Sequence, residues 1–211
     1  MKLLDFETTG KILQDYNIPL IKTRKVLSKR EALIFAKKFG YPVVLKLLAE
    51  NVVHKTEKGF VEKKIRDGKE LEKSFQRIFQ KKKIAKGSSL LVQKKGEGIE
   101  LIIGMKRDPV FGPVLILGLG GVFVELFQKV VFGIAPLNKK EAREMVRATK
   151  ILEISRERKI LPQEGGSFGL DNILVGISKI SEEHSEIKEI DFNPIFLNPK
   201  ETTVADAKFL V

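Results

Sequence analysis

A capped helix that leads directly into an apolar strand, over residues 28–48, constrains the fold of this chain more than any other feature. Ser28-Lys29-Arg30-Glu31 has the pattern of a capping box, apolar residues follow at helical spacing, and Gly40 supplies a stop signal. This pattern predicts a helix over 29–39. The following residues, 41–48, predict a short apolar strand with a single charge in it. The chain therefore combines helices with strands.

That single charge is Lys46, and a buried ammonium group costs free energy unless something compensates it. One interpretation is a lysine at a strand edge, whose stem lies along apolar surface while its ammonium reaches water. The other is a ligand of nucleotide phosphates, held on a rigid strand and desolvated until the polyphosphate arrives. The position alone favours neither interpretation.

The loop after this strand, Val53-His54-Lys55-Thr56-Glu57-Lys58-Gly59, contains the components of a phosphate-handling site. The imidazole of His54 can accept a phosphoryl group covalently, and the neighbouring Lys55 can offset its charge. Gly59 lets the backbone approach an anion closely. A solvated turn is the alternative for the heptapeptide taken alone.

Helix and strand signals alternate along the rest of the chain, without an internal repeat or a low-complexity tract. The segments 90–93 and 99–104, joined by the link 94–98, predict two adjacent strands. The other predicted elements are a helix ending near Tyr16, helices over about 67–82, 138–151 and 170–181, a strand from Phe111 into the glycine-rich turn at 118–121, and strands at 187–192 and 203–207.

Asn193 and Asp206 predict a site for a hard cation near the carboxyl end of the chain. They stand 13 residues apart, on predicted neighbouring strands joined by the polar turn 198–202. Mg²⁺ suits such a pair, because it takes one or two protein oxygens and completes its octahedron with water and nucleotide phosphate. The alternative, which the dipeptides alone favour, is that Asp191 and Asn193 cap a turn before Pro194.

Composition excludes several classes of site. The 211 residues contain no cysteine and only two histidines, His54 and His184, which excludes disulfides, thiolate metal sites and cysteine nucleophiles. No apolar run reaches the ~20 residues that a membrane helix needs. The first residues are too short and too acidic a segment for a signal peptide, so we expect a cytoplasmic protein.

The net charge of +12 raises the question of a nucleic-acid partner. Ten lysines and arginines stand against four acids between Glu62 and Lys86, which is half of the whole excess. Phe75 and Phe79, however, are four residues apart, as in the buried stripe of an amphipathic helix. We therefore favour a solvated helix face over an RNA-binding surface in this region.

Seven segments follow one another in an order that is typical of one enzyme family. They are Gly40-Tyr41-Pro42-Val43-Val44-Leu45-Lys46, His54-Lys55-Thr56-Glu57, Val92-Gln93 with Gly98-Ile99-Glu100, 104–113, 118–125, Ala135-Pro136-Leu137 and Asp191-Phe192-Asn193-Pro194. In this order they resemble the ATP-grasp beta subunit of the ADP-forming acetyl-CoA synthetases, relatives of succinyl-CoA synthetase beta. The resemblance covers nearly the whole chain and is weakest over about 151–185.

The resemblance implies an α+β (α/β) ATP-grasp fold whose two subdomains close over a nucleotide. It implies an N-terminal helical segment at 1–21, subdomain 1 at 22–92 and subdomain 2 at 93–211. Members of this family form an acyl phosphate on a separate CoA-binding alpha subunit, pass the phosphoryl group to histidine and deliver it to ADP. We therefore expect an alpha subunit as partner, in a heterotetramer as in relatives, and neither a membrane nor a nucleic acid.

The resemblance also implies roles for individual residues, with ATP/ADP and Mg²⁺ as cofactors. His54 matches the histidine that carries the phosphoryl group. The nucleotide ligands are Lys46, Lys55, Thr56, Gly59, Gln93 at the adenine-side hinge and Glu100; the Mg²⁺ ligands are Asn193 and Asp206, with Asp191 close by, and Glu125 lies on the glycine loop without a defined role. Phosphoryl transfer of this kind is mostly positioning and charge neutralisation, so this machinery is sufficient.

The chain departs from the family pattern in three places. Phe60 stands where relatives have a second glycine, and Lys94 follows the hinge glutamine where relatives have an acid. An arginine-glycine element is not recognisable between about 152 and 171, where Arg156 and Arg158 are nearest. Two other functions stay open: a nucleotide-binding scaffold or regulatory protein that has lost transfer, and a basic nucleic-acid-binding module centred on 63–86. The sequence does not determine the acyl group, the nucleobase or the direction of the reaction.

Overall fold

The computed structural model describes residues 2–48, 61–80, 89–121, 130–157 and 159–211. The helices in these ranges are α1 (Phe6–Asp15), α2 (Lys29–Phe39), α3 (Gly68–Gln80), α4 (Lys139–Ala148), α5 (Ile151–Glu157) and α6 (Leu170–Glu183). The strands are β1 (Thr23–Val26), β2 (Val43–Leu48), β3 (Val61–Ile65), β4 (Ser89–Lys94), β5 (Ile99–Asp108), β6 (Gly112–Leu119), β7 (Val130–Ile134), β8 (Glu189–Leu197), β9 (Thr202–Val204) and β10 (Ala207–Leu210).

The backbone forms two compact units, here called the small unit (Ile21–Lys95) and the large unit (Met1–Leu20 with Gly96–Val211). The mixture of helices and antiparallel sheets confirms the predicted α+β class. The subdomain boundaries derived from the sequence, 22–92 and 93–211, stay a prediction. No helix within the described ranges has the length and apolarity to cross a bilayer.

The small unit is a four-stranded antiparallel sheet in the order β1-β4-β2-β3 with α2 and α3 on one face. The predicted helix over 29–39 is confirmed, because the Ser28 hydroxyl accepts from the Glu31 amide at 3.3 Å and Gly40 ends the helix at φ +79°. Alternate residues of β2, Val43, Leu45 and Leu47, face the helices. They form this unit's core with residues of α2, α3 and β4, among them Phe35, Leu71, Leu90 and Val92.

The prediction that 90–93 and 99–104 form adjacent strands is wrong. β4 pairs with β1 and β2, whereas β5 pairs with β6 and β8, so both edges of each strand are already occupied. The link between them does not turn back as a hairpin. The Lys95 amide still donates to the Pro42 carbonyl at 3.1 Å, and a Cβ at Gly96 would lie 2.1 Å from the Phe196 ring. Glycine is therefore required where the chain leaves one sheet for the other.

The large unit is a six-stranded antiparallel sheet in the order β10-β8-β5-β6-β7, with β9 pairing to β8. Helices α4 and α6 pack on one face of it, and Leu101, Ile103, Leu117 and Phe192 are buried there. Helix α4 begins with a capping box, since the Asn138 side chain accepts from the Glu141 amide and Glu141 accepts from the Asn138 amide.

The predicted helix over 138–151 ends earlier than expected, at Ala148. Lys150 has φ +57°, which a right-handed helix cannot accommodate, and the separate helix α5 begins at Ile151. The predicted strand at 203–207 is likewise two strands, because the chain bends at Ala205 and Asp206 between β9 and β10. The helix predicted to end near Tyr16 and the helix from Leu170 are present as α1 and α6.

Candidate functional site

The small unit presents Lys46 and Gln93 on the same face of its sheet. In the β2–β4 ladder Lys46 lies opposite Leu91 and Val44 opposite Gln93, and directly opposed residues share a face. This face is opposite to the one covered by α2 and α3, because the neighbours Leu45 and Val92 point into the helical core. The side chains are nevertheless buried, with Lys46 9% and Gln93 4% exposed. The two nucleotide ligands implied by the resemblance are thus brought together on one surface.

Gln93 is held in place by a short hydrogen-bonded chain. Its Nε2 donates to the Thr23 hydroxyl at 2.8 Å, and that hydroxyl donates to the Ile21 carbonyl at 2.8 Å. The Thr23 backbone lies opposite Gln93 in the β1–β4 ladder. Sequence reasoning missed Thr23, and only the pairing of β1 with β4, which no local pattern indicates, reveals its role in orienting the amide.

Lys94, the departure from the family pattern, lies on the other face of this sheet. It is opposite Val43, one of the core residues, and its ammonium donates to the Tyr41 carbonyl at 3.1 Å. Because successive strand residues point to opposite faces, Lys94 does not lie beside the Gln93 amide. The substitution therefore leaves the surface that carries Lys46 and Gln93 unchanged.

The large unit brings Asn193 and Asp206 together. The Asn193 amide donates to the Asp206 carbonyl at 3.0 Å, at the point where β8 stops pairing with β9 and begins to pair with β10. The Asn193 side chain is exposed and Asp206 is half-buried. The predicted neighbourhood of these two oxygen-bearing residues is therefore present, across two adjacent segments of one sheet.

The donor set suits Mg²⁺ better than a metal that requires many protein ligands. Within the described ranges there is no group of three or more histidine, cysteine, aspartate or glutamate side chains that could hold a metal ion. Two oxygen ligands are enough for Mg²⁺, which keeps several waters and relies on substrate phosphates. Asp191 is nearby on β8, but its carboxylate pairs with the Lys208 ammonium at 3.4 Å.

Glu100 lies beneath the start of the glycine-rich turn that follows β6. The Gly120 amide donates to the Glu100 carbonyl at 2.7 Å, and a Cβ on Gly121, whose φ is +60°, would lie 2.7 Å from the Glu100 carboxylate. In the β5 ladders Glu100 is on the face away from the helices, as its neighbours Ile99 and Leu101 are in the core. Because residue 121 is glycine, the turn can approach the Glu100 carboxylate closely.

Five of the predicted site residues lie outside the described residues, so their roles stay predictions. They are His54, Lys55, Thr56, Gly59 and Glu125. Phe60 and Arg158, two of the departures from the family pattern, lie there as well.

The Arg107-Asp108-Pro109 segment, which sequence reasoning used to identify the family, has a structural role. The Arg107 guanidinium donates to the carbonyls of Ser181, His184 and Ile187, the last two at 2.9 and 2.8 Å, and so closes the C-terminal end of α6. Asp108 accepts from the Val110 and Phe111 amides at 2.8 and 2.9 Å and fixes the β5–β6 turn. The segment therefore supports the large unit.

Comparison with known proteins gives consistent results. The ATP-grasp domain family matches residues 1–211. The chain is 35% identical, over 208 residues, to the beta subunit of acetate–CoA ligase [ADP-forming] I of Pyrococcus furiosus, covering 95% of this chain and 88% of that one. It is 37% identical to the acetate–CoA ligase [ADP-forming] I of Archaeoglobus fulgidus, again over 95% of this chain but only 30% of that protein.

A solved structure extends the similarity to three dimensions. It is acetyl-coenzyme A synthetase 1 of Ca. Korarchaeum cryptofilum in complex with coenzyme A and Mg-AMPPCP, with its phosphohistidine segment pointing towards the nucleotide binding site. The TM-score is 0.82 at 34% identity, and the similarity covers 100% of this chain and 93% of that one. The predicted ATP-grasp fold is confirmed by these relationships.

Proposed function

The chain belongs to the ATP-grasp domain family, with beta subunits of ADP-forming acetate–CoA ligases among its relatives, and from this premise we propose that it transfers a phosphoryl group from phosphohistidine to ADP. The overall reaction converts acyl-CoA, ADP and phosphate into the acid, CoA and ATP. The observation that carries the proposal is the placement of Lys46 and Gln93 on one buried face of the small unit, at the positions that the resemblance assigns to nucleotide ligands.

Lys46 is proposed to neutralise the nucleotide phosphates. It is held on the strand β2 between β3 and β4, so its Cα position is fixed by ladders on both sides. A preorganised cation in a desolvated position stabilises developing charge far more than one that is free in water. Gln93, whose rotamer is fixed by Thr23, is proposed to orient the base through its amide.

Asn193 and Asp206 are proposed to hold the Mg²⁺ that accompanies the nucleotide. Their backbones are joined by a hydrogen bond, so their side chains start from one point of the sheet. When bound, Mg²⁺ neutralises charge on the nucleotide phosphates. Glu100, on the same unit and next to Gly121, is proposed to face the nucleotide, and the choice of adenine over guanine is left to the experiment.

A partner subunit is proposed to bind CoA and to carry out the steps of the reaction that involve CoA. The relatives include two-chain enzymes, in which the matching chain is a beta subunit, and single-chain enzymes in which the matching region is 30% of the protein. Five of the seven large apolar side chains that are exposed in the described ranges belong to the large unit, at the β5–β6 turn and along β7: Val110, Phe111, Val130, Phe132 and Ile134. An apolar surface of this kind is typical of a protein interface. We propose an alpha subunit there, in a heterotetramer.

The test of transfer is incubation with γ-labelled MgATP, scoring phosphate that is acid-labile and base-stable. We expect label on the wild-type chain and none on His54→Ala. His184→Ala is the matched control, because it removes the only other histidine, at the C-terminal end of α6, and should keep the label.

If the isolated chain takes no label, the assay is repeated with the cognate alpha chain. Absence of label in that complex, together with retained MgATP binding, would identify a nucleotide-binding scaffold and reject transfer. Label that survives His54→Ala and disappears in His184→Ala would reject the assignment of the histidine.

A further inference from the structure

The large unit contains a cavity that is lined by none of the proposed nucleotide or metal ligands that the structure describes. It has a volume of about 650 Å³ and lies between α4, α5 and the loop that leads into α6. Five cationic side chains line it against two acids; the cations are Lys139, Arg143, Arg147, Lys150 and Arg156, and the acids are Glu153 and Asp171. Positive charge is therefore in excess at this cavity.

Two of these cations are built into the walls. Arg143 Nε donates to the buried Asp171 carboxylate at 3.0 Å, and the Ser167 hydroxyl donates to the other oxygen of that carboxylate. Arg156 donates to the carbonyls of Gly165 and Pro162 at 2.7 and 3.3 Å. These contacts fix the shape of the cavity and leave Asp171 neutralised by Arg143.

The other three cations, Lys139, Arg147 and Lys150, make no ion pair within the described ranges. Along α4, Arg143 is paired with Asp171, whereas Lys139 and Arg147, four residues to either side of it, have no ion pair within the described ranges. The outer side of the same helix is charge-paired, because Lys140 pairs with Glu144 at 4.0 Å. Cations that line a cavity without an ion pair indicate that an anion belongs between them.

The loop before α6 also lines the cavity, with Gly165, Gly166 and Gly169. A Cβ on Gly166 or Gly169 would meet no atom within 4 Å, so there is open space beside the backbone at these two residues. The partial positive charge at the start of α6 is offset by Asp171, whose carboxylate lies in the first turn and accepts from the Asn172 amide at 3.1 Å. The cationic character of the cavity therefore comes from its side chains.

The floor of the cavity is apolar. Val146, Leu152 and Phe168 contribute to its lining beside the charged residues. The volume lies within the range of about 300–1,000 Å³ that is typical of small-molecule sites. An inorganic ion would leave this surface uncovered, whereas an organic molecule with a phosphate group would cover it and meet the cations.

We propose that this cavity binds an organic phosphate, with the phosphate between Lys139, Arg147 and Lys150 and the apolar part against Phe168. The site is independent of the proposed nucleotide site, and its ligand is recognised by charge at one end and by apolar contact at the other.

The test follows the amide signals of Gly165, Gly166 and Gly169 by NMR during titration with inorganic phosphate and with phenyl phosphate. We expect shifts that saturate with both, and at least threefold tighter binding of phenyl phosphate. The double substitution Arg147→Ala, Lys150→Ala should weaken both by tenfold or more, because it removes two of the three cations that line the cavity without an ion pair in the described ranges.

Two variants serve as controls. Lys140→Ala removes a cation from the same helix, 85% exposed and outside the cavity, and should change binding by less than twofold. Lys46→Met should leave it unchanged, which separates this site from the nucleotide site. Equal losses in Lys140→Ala and the double variant, shifts that map elsewhere, or no preference for phenyl phosphate would each overturn the proposal.

Discussion

The small and large units both carry their candidate site residues on the sheet face that their helices leave uncovered, but they bury them to different degrees. Lys46 and Gln93 of the small unit are almost fully buried, whereas Asn193 and Glu100 of the large unit are exposed. A buried polar side chain needs a partner, so its presence in an apolar strand is informative in itself. An exposed carboxylate or amide has no such requirement, and its sequence pattern is shared with ordinary turns.

The first prediction concerns Lys46→Met, which keeps the approximate length of the side chain and removes its charge. We expect turnover of the assembled enzyme to fall by about 10²–10³-fold, as for the loss of other preorganised electrostatic groups. The midpoint of thermal unfolding should stay close to that of the wild type, because the buried stem is replaced by a side chain of similar volume.

Lys37→Met is the matched control for that loss, since Lys37 is an exposed lysine in the same unit, on α2. Turnover there should be unchanged. A wild-type rate in Lys46→Met would show that the buried ammonium is only a snorkelling side chain and would remove the nucleotide role.

The second prediction concerns the oxygen pair of Asn193 and Asp206. Asp206→Ala should raise the Mg²⁺ concentration needed for half-maximal turnover by roughly tenfold or more, as expected when a hard cation loses one of two protein oxygens. The backbone contact with Asn193 should persist, because it uses the Asp206 backbone carbonyl, which alanine retains. Asp191→Ala, which breaks the pair with Lys208, should have a smaller effect; equal shifts in both variants would contradict the assignment.

The third prediction tests the apolar surface of the large unit. Phe132→Ser should weaken association with the alpha chain by about tenfold or more, since truncating an aromatic side chain at the centre of an interface costs more than 1 kcal/mol. Ile34→Ser is the control from the small unit, because Ile34 is 51% exposed and Phe132 is 65% exposed. Sedimentation of mixtures would measure both, and equal weakening would show that the surface around Phe132 is not the interface.

The sequence predicted most of the secondary structure and, where residues are described, that Asn193 and Asp206 lie on neighbouring segments. Local signals were sufficient for α2, with its Ser28 cap and Gly40 stop, and for the strand that carries Lys46. Long-range pairing was not visible. The hydrogen bonds of Arg107 reach carbonyls 74 to 80 residues away, and the Thr23–Gln93 contact spans 70 residues.

The errors have local physical causes. The link 94–98 contains turn residues, which predicted a hairpin, but the chain uses Gly96 to pass the Phe196 ring into another sheet. The predicted helix over 138–151 extended through Lys150, which has a positive φ that its residue type does not indicate. Sequence pattern predicts that an element exists more reliably than where it ends.

The fourth prediction compares two glycines with positive φ in the large unit. Gly121→Ala should destabilise the protein by about 1 kcal/mol or more through backbone strain alone, and the new Cβ also meets the Glu100 carboxylate at 2.7 Å. Gly112→Ala carries similar strain at φ +72° without any atom within 4 Å of the new Cβ. The exposed Glu100 carboxylate can move aside, so we expect similar losses of stability in the two variants and a loss of turnover only in Gly121→Ala. Equal turnover of the two variants would mean that the position of the Glu100 carboxylate beside Gly121 is unimportant.

The smallest expected effect concerns a second buried charge, the Asp171 carboxylate of the large unit. Burial alone raises the pKa of Asp171, but the hydrogen bonds from Ser167 and Arg143 and the charge of Lys139 outweigh it and hold the pKa below its usual range. A carboxyl group with a lowered pKa in the folded state stabilises the protein above its unfolded pKa, and this contribution disappears as the pH falls through the folded pKa. Asp171→Asn should therefore cost roughly 1–2 kcal/mol near neutral pH, and the difference from the wild type should shrink below about pH 4.

Asp108→Asn provides the exposed counterpart of that substitution. Backbone hydrogen bonds from Phe111 and Val110 lower the pKa of Asp108 as well, but its carboxylate lies in an exposed turn. Urea denaturation at several pH values should show the same direction of pH dependence with a smaller loss of stability, because water can replace the missing partner. If the two variants lose equal stability, burial does not amplify the contribution of a charge in this protein, and the contrast drawn between the buried Lys46 and the exposed Asn193 loses its physical basis.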